Sequence, residues 1–139
     1  MTAADAAEAV RVLCVEDLHF VAEAICDDIN REAGFECVGI LPTPDRLLEE
    51  SQRMRPDIVL LDLRTAGADS FDAMAELLAA LPAVRVIVVS GDNHPKTIAR
   101  AFDLGASGYV VKHDAREVVD AAKAVAAGGV WQPRRPMLR

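Results

Sequence analysis

Three carboxylates stand out because each follows an apolar run: Val12-Leu13-Cys14-Val15 leads into Glu16-Asp17, and Ile58-Val59-Leu60-Leu61 leads into Asp62. If these runs are neighbouring parallel strands, the acids meet at one sheet edge, where their mutual repulsion is costly without a cation among them. Two further runs end on groups of complementary chemistry, Ser90-Gly91 and Lys112. Hard oxygen ligands, a hydroxyl and one ammonium around a single point suit Mg2+, with Mn2+ able to substitute, and a phosphoryl group. On this reading Asp62 is the nucleophile that attacks phosphorus to give an acyl phosphate. Asp17 ligates the metal directly and Glu16 through water, with Asp62 and the backbone carbonyl of Arg64 completing the protein's share. Lys112 pairs with one phosphoryl oxygen as a point charge, and Ser90 donates a hydrogen bond to another.

Such a cluster needs a scaffold that brings strand ends together, and the pattern of the chain supplies one. Strands are predicted near Arg11–Val15, Glu36–Ile40, Asp57–Leu61, Val84–Val89 and Gly108–Val111. Between and after them, helical spacing runs through Val21, Ile25 and Ile29, through Phe71, Met74, Leu78 and Leu81, through Ile98, Ala101 and Phe102, and through Val118, Ala122 and Val125. Alternation of this kind predicts an α/β fold, a (βα)5 doubly wound, five-stranded parallel sheet with flavodoxin-like topology, order 2-1-3-4-5. Ligands of such sheets bind beyond the carboxyl ends of the strands, where every residue above falls. Thr43-Pro44 and Ser70 are N-cap candidates, Pro95 suits a first turn, and Asp114 with Glu117 forms a capping box. Gly34, Gly105 and Gly128 sit where helices should stop.

Composition narrows the function classes. At 139 residues and 52% hydrophobic content the chain can build one domain with a proper core and is too short for two. Acids outnumber bases 22 to 15, for a formal net charge of -7, which argues against a nucleic-acid-binding surface. No apolar run approaches the roughly 20 residues needed to span a bilayer, and Met1–Ala9 lacks the basic flank and apolar centre of a signal peptide. The expected setting is the cytoplasm, away from membranes. Cys14, Cys26 and Cys37 lack Cys-x-x-Cys spacing and read as buried, reduced thiols. Residues 1–9 are expected to form a flexible tail, 10–128 the domain, and 129–139 a tail or linker remnant, more readily disordered than docked.

The ordered set Glu16-Asp17, Asp62, Ser90-Gly91 and Gly108-Tyr109-Val110-Val111-Lys112 resembles the receiver domain of bacterial two-component response regulators. Gly105–Lys112, together with Ala124-Val125-Ala126-Ala127-Gly128-Gly129, is similar to the NarL/LuxR-type subgroup in particular. The resemblance implies CheY-like topology and phosphoryl transfer to Asp62 from a histidine kinase or phosphotransfer protein, dependent on Mg2+. It also implies a rotamer change of Tyr109 as Ser90 moves, altering the surface of the fourth helix, fifth strand and fifth helix. The output would pass to a downstream protein or to an output domain outside this chain, and a homodimer through that surface is left open. The chain would then be no enzyme in the ordinary sense, only a phosphoacceptor switch that catalyses the transfer from its donor and can dephosphorylate itself.

Departures from the family pattern are local. Thr65-Ala66 stands where Met-Pro is frequent, Ser70 where Gly is frequent after the acid Asp69, and His113 where a cis proline is frequent after Lys112. A non-proline cis bond costs about 2.5–4 kcal/mol, so a trans Lys112–His113 peptide is expected. Arg64, two positions past Asp62, and Asp92, two past Ser90, are candidates for rate tuning through contact with the phosphoryl group or its attacking water. The alternatives are an unphosphorylated pseudo-receiver that serves as a protein-binding module, and an aspartyl-phosphate hydrolase. The hydrolase would want an acid where Arg64 stands.

Overall fold

The computed structural model describes residues 8–64, 67–112 and 115–134. Five strands, β1 (Val10–Val15), β2 (Phe35–Leu41), β3 (Ile58–Leu61), β4 (Arg85–Ser90) and β5 (Gly108–Val111), form one parallel sheet in the order β2-β1-β3-β4-β5. They alternate with α1 (His19–Arg31), α2 (Leu47–Met54), α3 (Ser70–Ala80), α4 (Pro95–Asp103) and α5 (Ala115–Ala126). The fold is therefore the doubly wound one expected from the alternation, with strand ends within a residue or so of those predicted.

Helices cover both faces, so side chains on both sides of the central strands must be apolar. Leu13, Val15, Val59, Leu61, Val86 and Val88 pack on one face with Leu47 of α2, Met74 and Leu77 of α3 and Ala101 of α4. Val12, Ile58, Leu60, Ile87, Val89 and Val110 pack on the other with Ile29 of α1 and Val118, Ala122 and Val125 of α5. The alternation of neighbouring residues between two cores follows from the two-residue period of a strand. It also fixes register, because a one-residue slip would exchange every core position.

Local punctuation differs from expectation at several points. Asp69, not Ser70, caps α3 by accepting from the Asp72 amide, and the Ser70 hydroxyl instead donates to the Asp62 carbonyl. No side chain caps α2, whose N-cap is Arg46 rather than Thr43 or Pro44. Pro95 does open α4, with the His94 ring accepting from the Lys96 amide. Asp114 and the Lys112–His113 peptide lie outside the described residues. Glu117 is turned into the protein rather than back toward the helix start, and its Oε2 accepts from Trp131 and Arg134.

One expectation is corrected by tertiary proximity. Cys26 of α1 and Cys37 of β2, with Cα atoms 5.3 Å apart, are joined as a disulfide, leaving Cys14 as the buried free thiol among the described residues. Eleven residues of sequence separation gave no sign of that approach. Within the expected tail of residues 129–139, Trp131 bridges Gly108 in parallel register and packs on the α1/α5 core.

Candidate functional site

Strand order 2-1-3 puts the ends of β1 and β3 side by side at the point where the winding of the sheet reverses. Val15 pairs with Leu61, and the Asp62 amide donates to the Val15 carbonyl at 3.1 Å, so the acids that follow the two strands emerge level. Glu16 is 2% and Asp62 3% exposed, whereas Asp17 faces solvent. One carboxylate oxygen from each of Glu16, Asp17 and Asp62 lies within 4.8 Å of the others. That set of hard oxygen donors, two buried and one open to water, fits Mg2+ better than a softer metal.

Lys112, just past β5, reaches across the ends of the strands. Its Nζ donates to Glu16 Oε1 at 2.6 Å and to Asp62 Oδ2 at 2.9 Å. Burial alone would lower the Lys112 pKa, but the bonds to Glu16 and Asp62 outweigh it and hold the ammonium above its ordinary value. The Glu16 pKa is raised, chiefly by burial and further by Asp62, against the opposing pull of Lys112 and of the Leu18 amide. One lysine therefore offsets two buried carboxylates, and a negative excess remains at the strand ends. A cation has an electrostatic reason to bind there.

The remaining Asp62 oxygen is held as well. Oδ1 accepts from the Arg64 amide at 2.9 Å, while the Arg64 side chain is exposed. Behind it, the Ser70 hydroxyl at 3.0 Å fixes the Asp62 carbonyl, and Asp45 Oδ1 accepts from the Ala68 amide, tying the β3–α3 loop to the β2–α2 loop. Thr65 and Ala66 lie outside the described residues. Cys14 sits beneath the acids on β1; burial, reinforced by Glu16, pushes its thiol up to about 12, which marks it as inert packing rather than a nucleophile.

Ser90, at the end of β4, is wholly buried, and its Oγ accepts from the Asp92 amide at 3.1 Å. Tyr109 of β5 is equally buried, and its hydroxyl donates to the Asp92 carbonyl at 2.6 Å. Burial raises the Tyr109 pKa. Asp92 has a lowered pKa, first because its carboxylate accepts from the His94 amide and then from Thr97, and the nearby Arg64 charge acts in the same direction. Ser90, Asp92 and Tyr109 thus form one hydrogen-bonded chain from β4 to β5, and the Lys112 amide adds a bond to the Ser90 carbonyl at 2.9 Å.

Glu16, Asp17, Asp62, Ser90 and Lys112 thus lie at the carboxyl edge of the sheet, Arg64 and Asp92 in the two loops beside it, and Tyr109 within β5. Ser70 and Asp45 were missed as supports of that edge. The first was read as a helix cap, and the second is brought near Ala68 only by the fold. Among the described helices none is long and apolar enough to cross a membrane.

The chain is similar to known proteins in sequence and in fold. Residues 12–123 match the family model described as the response regulator receiver domain. Among curated proteins, the response regulator protein VraR of Staphylococcus aureus is 25% identical over 126 residues, covering 89% of this chain and 60% of VraR. The chain thus spans about 60% of the length of the curated relatives it matches. Among solved structures, a LuxR-family two-component response regulator from Aurantimonas sp. SI85-9A1 superposes with a TM-score of 0.84 at 27% identity, covering 89% of each chain. The signal receiver domain of the putative response regulator NarL from Mycobacterium tuberculosis superposes with a TM-score of 0.80 at 26% identity, covering 87% of this chain and 98% of that one. The match over most of the chain, on a 2-1-3-4-5 sheet whose β1 and β3 ends bring the acids together, establishes that this protein belongs to the response regulator receiver domain family of two-component systems.

Proposed function

We propose that the chain is a phosphoacceptor switch, with Asp62 receiving a phosphoryl group from a histidine kinase or a phosphotransfer protein. The observation that carries this reading is the Asp62 carboxylate itself. It is buried, held by Lys112 on Oδ2 and by the Arg64 amide on Oδ1, and has Glu16 and Asp17 within metal-sharing distance.

In the transfer, an Asp62 oxygen forms a bond to phosphorus as the P–N bond of a phosphohistidine breaks, and the histidine nitrogen leaves with the electron pair. Mg2+, when bound by Glu16, Asp17 and Asp62 with the Arg64 carbonyl, would neutralise charge on the phosphoryl oxygens. Lys112 exchanges its bond to Asp62 for one to a phosphoryl oxygen, which carries more negative charge than the carboxylate it leaves. Ser90 has a hydroxyl hydrogen to donate to another phosphoryl oxygen, and moving it disturbs the Asp92 amide it now accepts from. Because Tyr109 is bonded to the same residue's carbonyl, that shift reaches β5 and the α4–β5–α5 surface. This is a local charge event biasing a two-state element. Arg64 and Asp92 flank the pocket on opposite loops and tune the lifetime of the acyl phosphate. The signal then passes to a downstream protein or a further domain.

The test is labelling with acetyl phosphate in the presence of Mg2+, followed by mass analysis of the intact protein. A mass increase of one phosphoryl group (about 80 Da) is expected for wild type and none for Asp62→Asn. A wild type that stays unlabelled by both acetyl phosphate and candidate kinases would sink the switch reading in favour of an unphosphorylated protein-binding module.

A further inference from the structure

Residues 130–134 make contacts that the phosphoryl site does not need. Trp131 donates its amide to the Ser107 carbonyl at 2.9 Å and accepts the Tyr109 amide on its carbonyl at 3.0 Å, so it acts as a one-residue sixth strand on the open edge of β5. Gly108 permits the approach, since a Cβ there would meet the Trp131 Cβ at 3.2 Å. Pro133 has no N–H with which to continue the ladder. The chain turns instead to α5, where the Arg134 amide donates to Glu117 at 3.1 Å and its guanidinium pairs with Asp120 at 2.6 Å. The same guanidinium lies over the indole ring, 5.2 Å from its centroid.

Glu117 shows that this face is built to be covered. It is fully buried in the α1/α5 core, and the two hydrogen bonds to its Oε2 come from the Trp131 indole and the Arg134 amide, while its Oε1 has no partner among the described residues. A carboxyl stripped of water in an apolar setting needs such donors. Without residues 130–134, Glu117 would lose both bonds and the Tyr109 amide would face an empty edge.

We propose that the β5 edge with the Glu117–Asp120 face of α5 is a docking site for the chain's own Trp131–Arg134 segment, and that docking is coupled to the phosphoryl site through Tyr109. The coupling route is short. One residue carries both links, its hydroxyl bonded to the Asp92 carbonyl beside Ser90 and its amide bonded to the strap. In this structure Tyr109 is bonded to the Asp92 carbonyl and the strap is docked, so a phosphoryl group that draws Ser90 away from the Asp92 amide disturbs that bond and loosens the strap. Reciprocity then requires a docked strap to disfavour the phosphorylated pocket. Chain beyond residue 134 would be held or released according to the state of Asp62. This coupling rests on the phosphoacceptor reading; the docking site itself does not.

Trp131 is the single tryptophan of the chain, so its fluorescence reports the strap directly. Acrylamide quenching of the full chain should be weaker than that of free N-acetyltryptophanamide by about threefold or more, and Arg134→Ala and Glu117→Gln should each raise it. Saturation with Mg2+ and beryllofluoride, its binding followed independently by fluorine NMR, should raise the wild-type quenching constant by about twofold. Arg134→Ala should tighten beryllofluoride binding by a similar factor. Quenching as efficient as for the free fluorophore overturns the docking site, and an unchanged quenching constant with beryllofluoride demonstrably bound overturns the coupling. If beryllofluoride does not bind, the phosphoacceptor reading fails instead, and Tyr109→Phe decides the coupling: raised quenching supports it and unchanged quenching refutes it.

Discussion

Replacing Lys112 by Met keeps most of the aliphatic stem and removes the charge, which isolates what the ammonium does for the two acids beneath it. The side chain donates to Glu16 and Asp62, whose side chains are 2% and 4% exposed, but is itself 30% exposed. Breaking a fully buried pair from one side costs about 3–5 kcal/mol. Partial exposure of the ammonium and the solvent-facing Asp17 edge screen the pair, so a loss of about 2 kcal/mol is expected for the metal-free protein at neutral pH. For a domain of this size that corresponds to a fall of about 8 °C in melting temperature.

The pH dependence has a definite sign. Glu16 already has a raised pKa in the folded protein, chiefly from burial, and removing Lys112 removes an opposing influence and lifts it further. A carboxyl whose folded value exceeds its unfolded value favours folding while protonated, and that advantage is lost as pH rises through the folded value. The deficit of Lys112→Met should therefore be largest at neutral pH and shrink as pH falls into the range where Glu16 protonates. In wild type, the stabilisation from the ammonium should persist to about pH 10.5, the amine's ordinary value, and be lost only as pH rises through the higher folded value. Mg2+ should restore more stability to the variant than to wild type, because the site then carries one more negative charge; at 100 times its dissociation constant a ligand contributes about 2.7 kcal/mol. Urea unfolding in EDTA at a series of pH values, repeated with Mg2+, measures all of this. A deficit under about 0.5 kcal/mol in EDTA, or one independent of pH, would refute the argued balance of charges.

Two further outcomes test the support of the site. Tyr109 is the single tyrosine, so absorbance at 295 nm follows its ionisation cleanly; because burial raises its pKa, the folded protein should titrate above the denatured one. The corresponding stability is present below pH 10, is lost as pH rises through the folded value, and should be missing from Tyr109→Phe. Ser70→Ala removes the hydroxyl that holds the Asp62 carbonyl at 3.0 Å. It should cost about 1 kcal/mol in unfolding free energy and slow acetyl phosphate labelling, and a variant indistinguishable from wild type in both would show that this bond positions nothing.

The legible part of the protein was its strand ends. Short apolar runs followed by Glu16-Asp17, Asp62, Ser90 and Lys112 are periodic, local signals, and a parallel sheet has few ways to arrange them. Lys112 could be assigned to the acids because all the strands of a parallel sheet end on the same side. The helix caps were read less well. Ser70 is chemically as good a cap as Asp69, and only the position of the Asp62 carbonyl decides between them.

Sequence by itself determined the two-core parallel sheet and the set of groups that meet at its carboxyl edge, because strand period and the order of apolar runs are properties of neighbouring residues. Tertiary structure alone decided which groups touch: Lys112 bridging Glu16 and Asp62, Asp92 linking Ser90 to Tyr109, Cys26 meeting Cys37, and Trp131 folding back onto β5 over Glu117. Each of those contacts joins side chains or backbone from different elements. Their distances follow from how helices and strands pack in three dimensions, which no local pattern along the chain encodes.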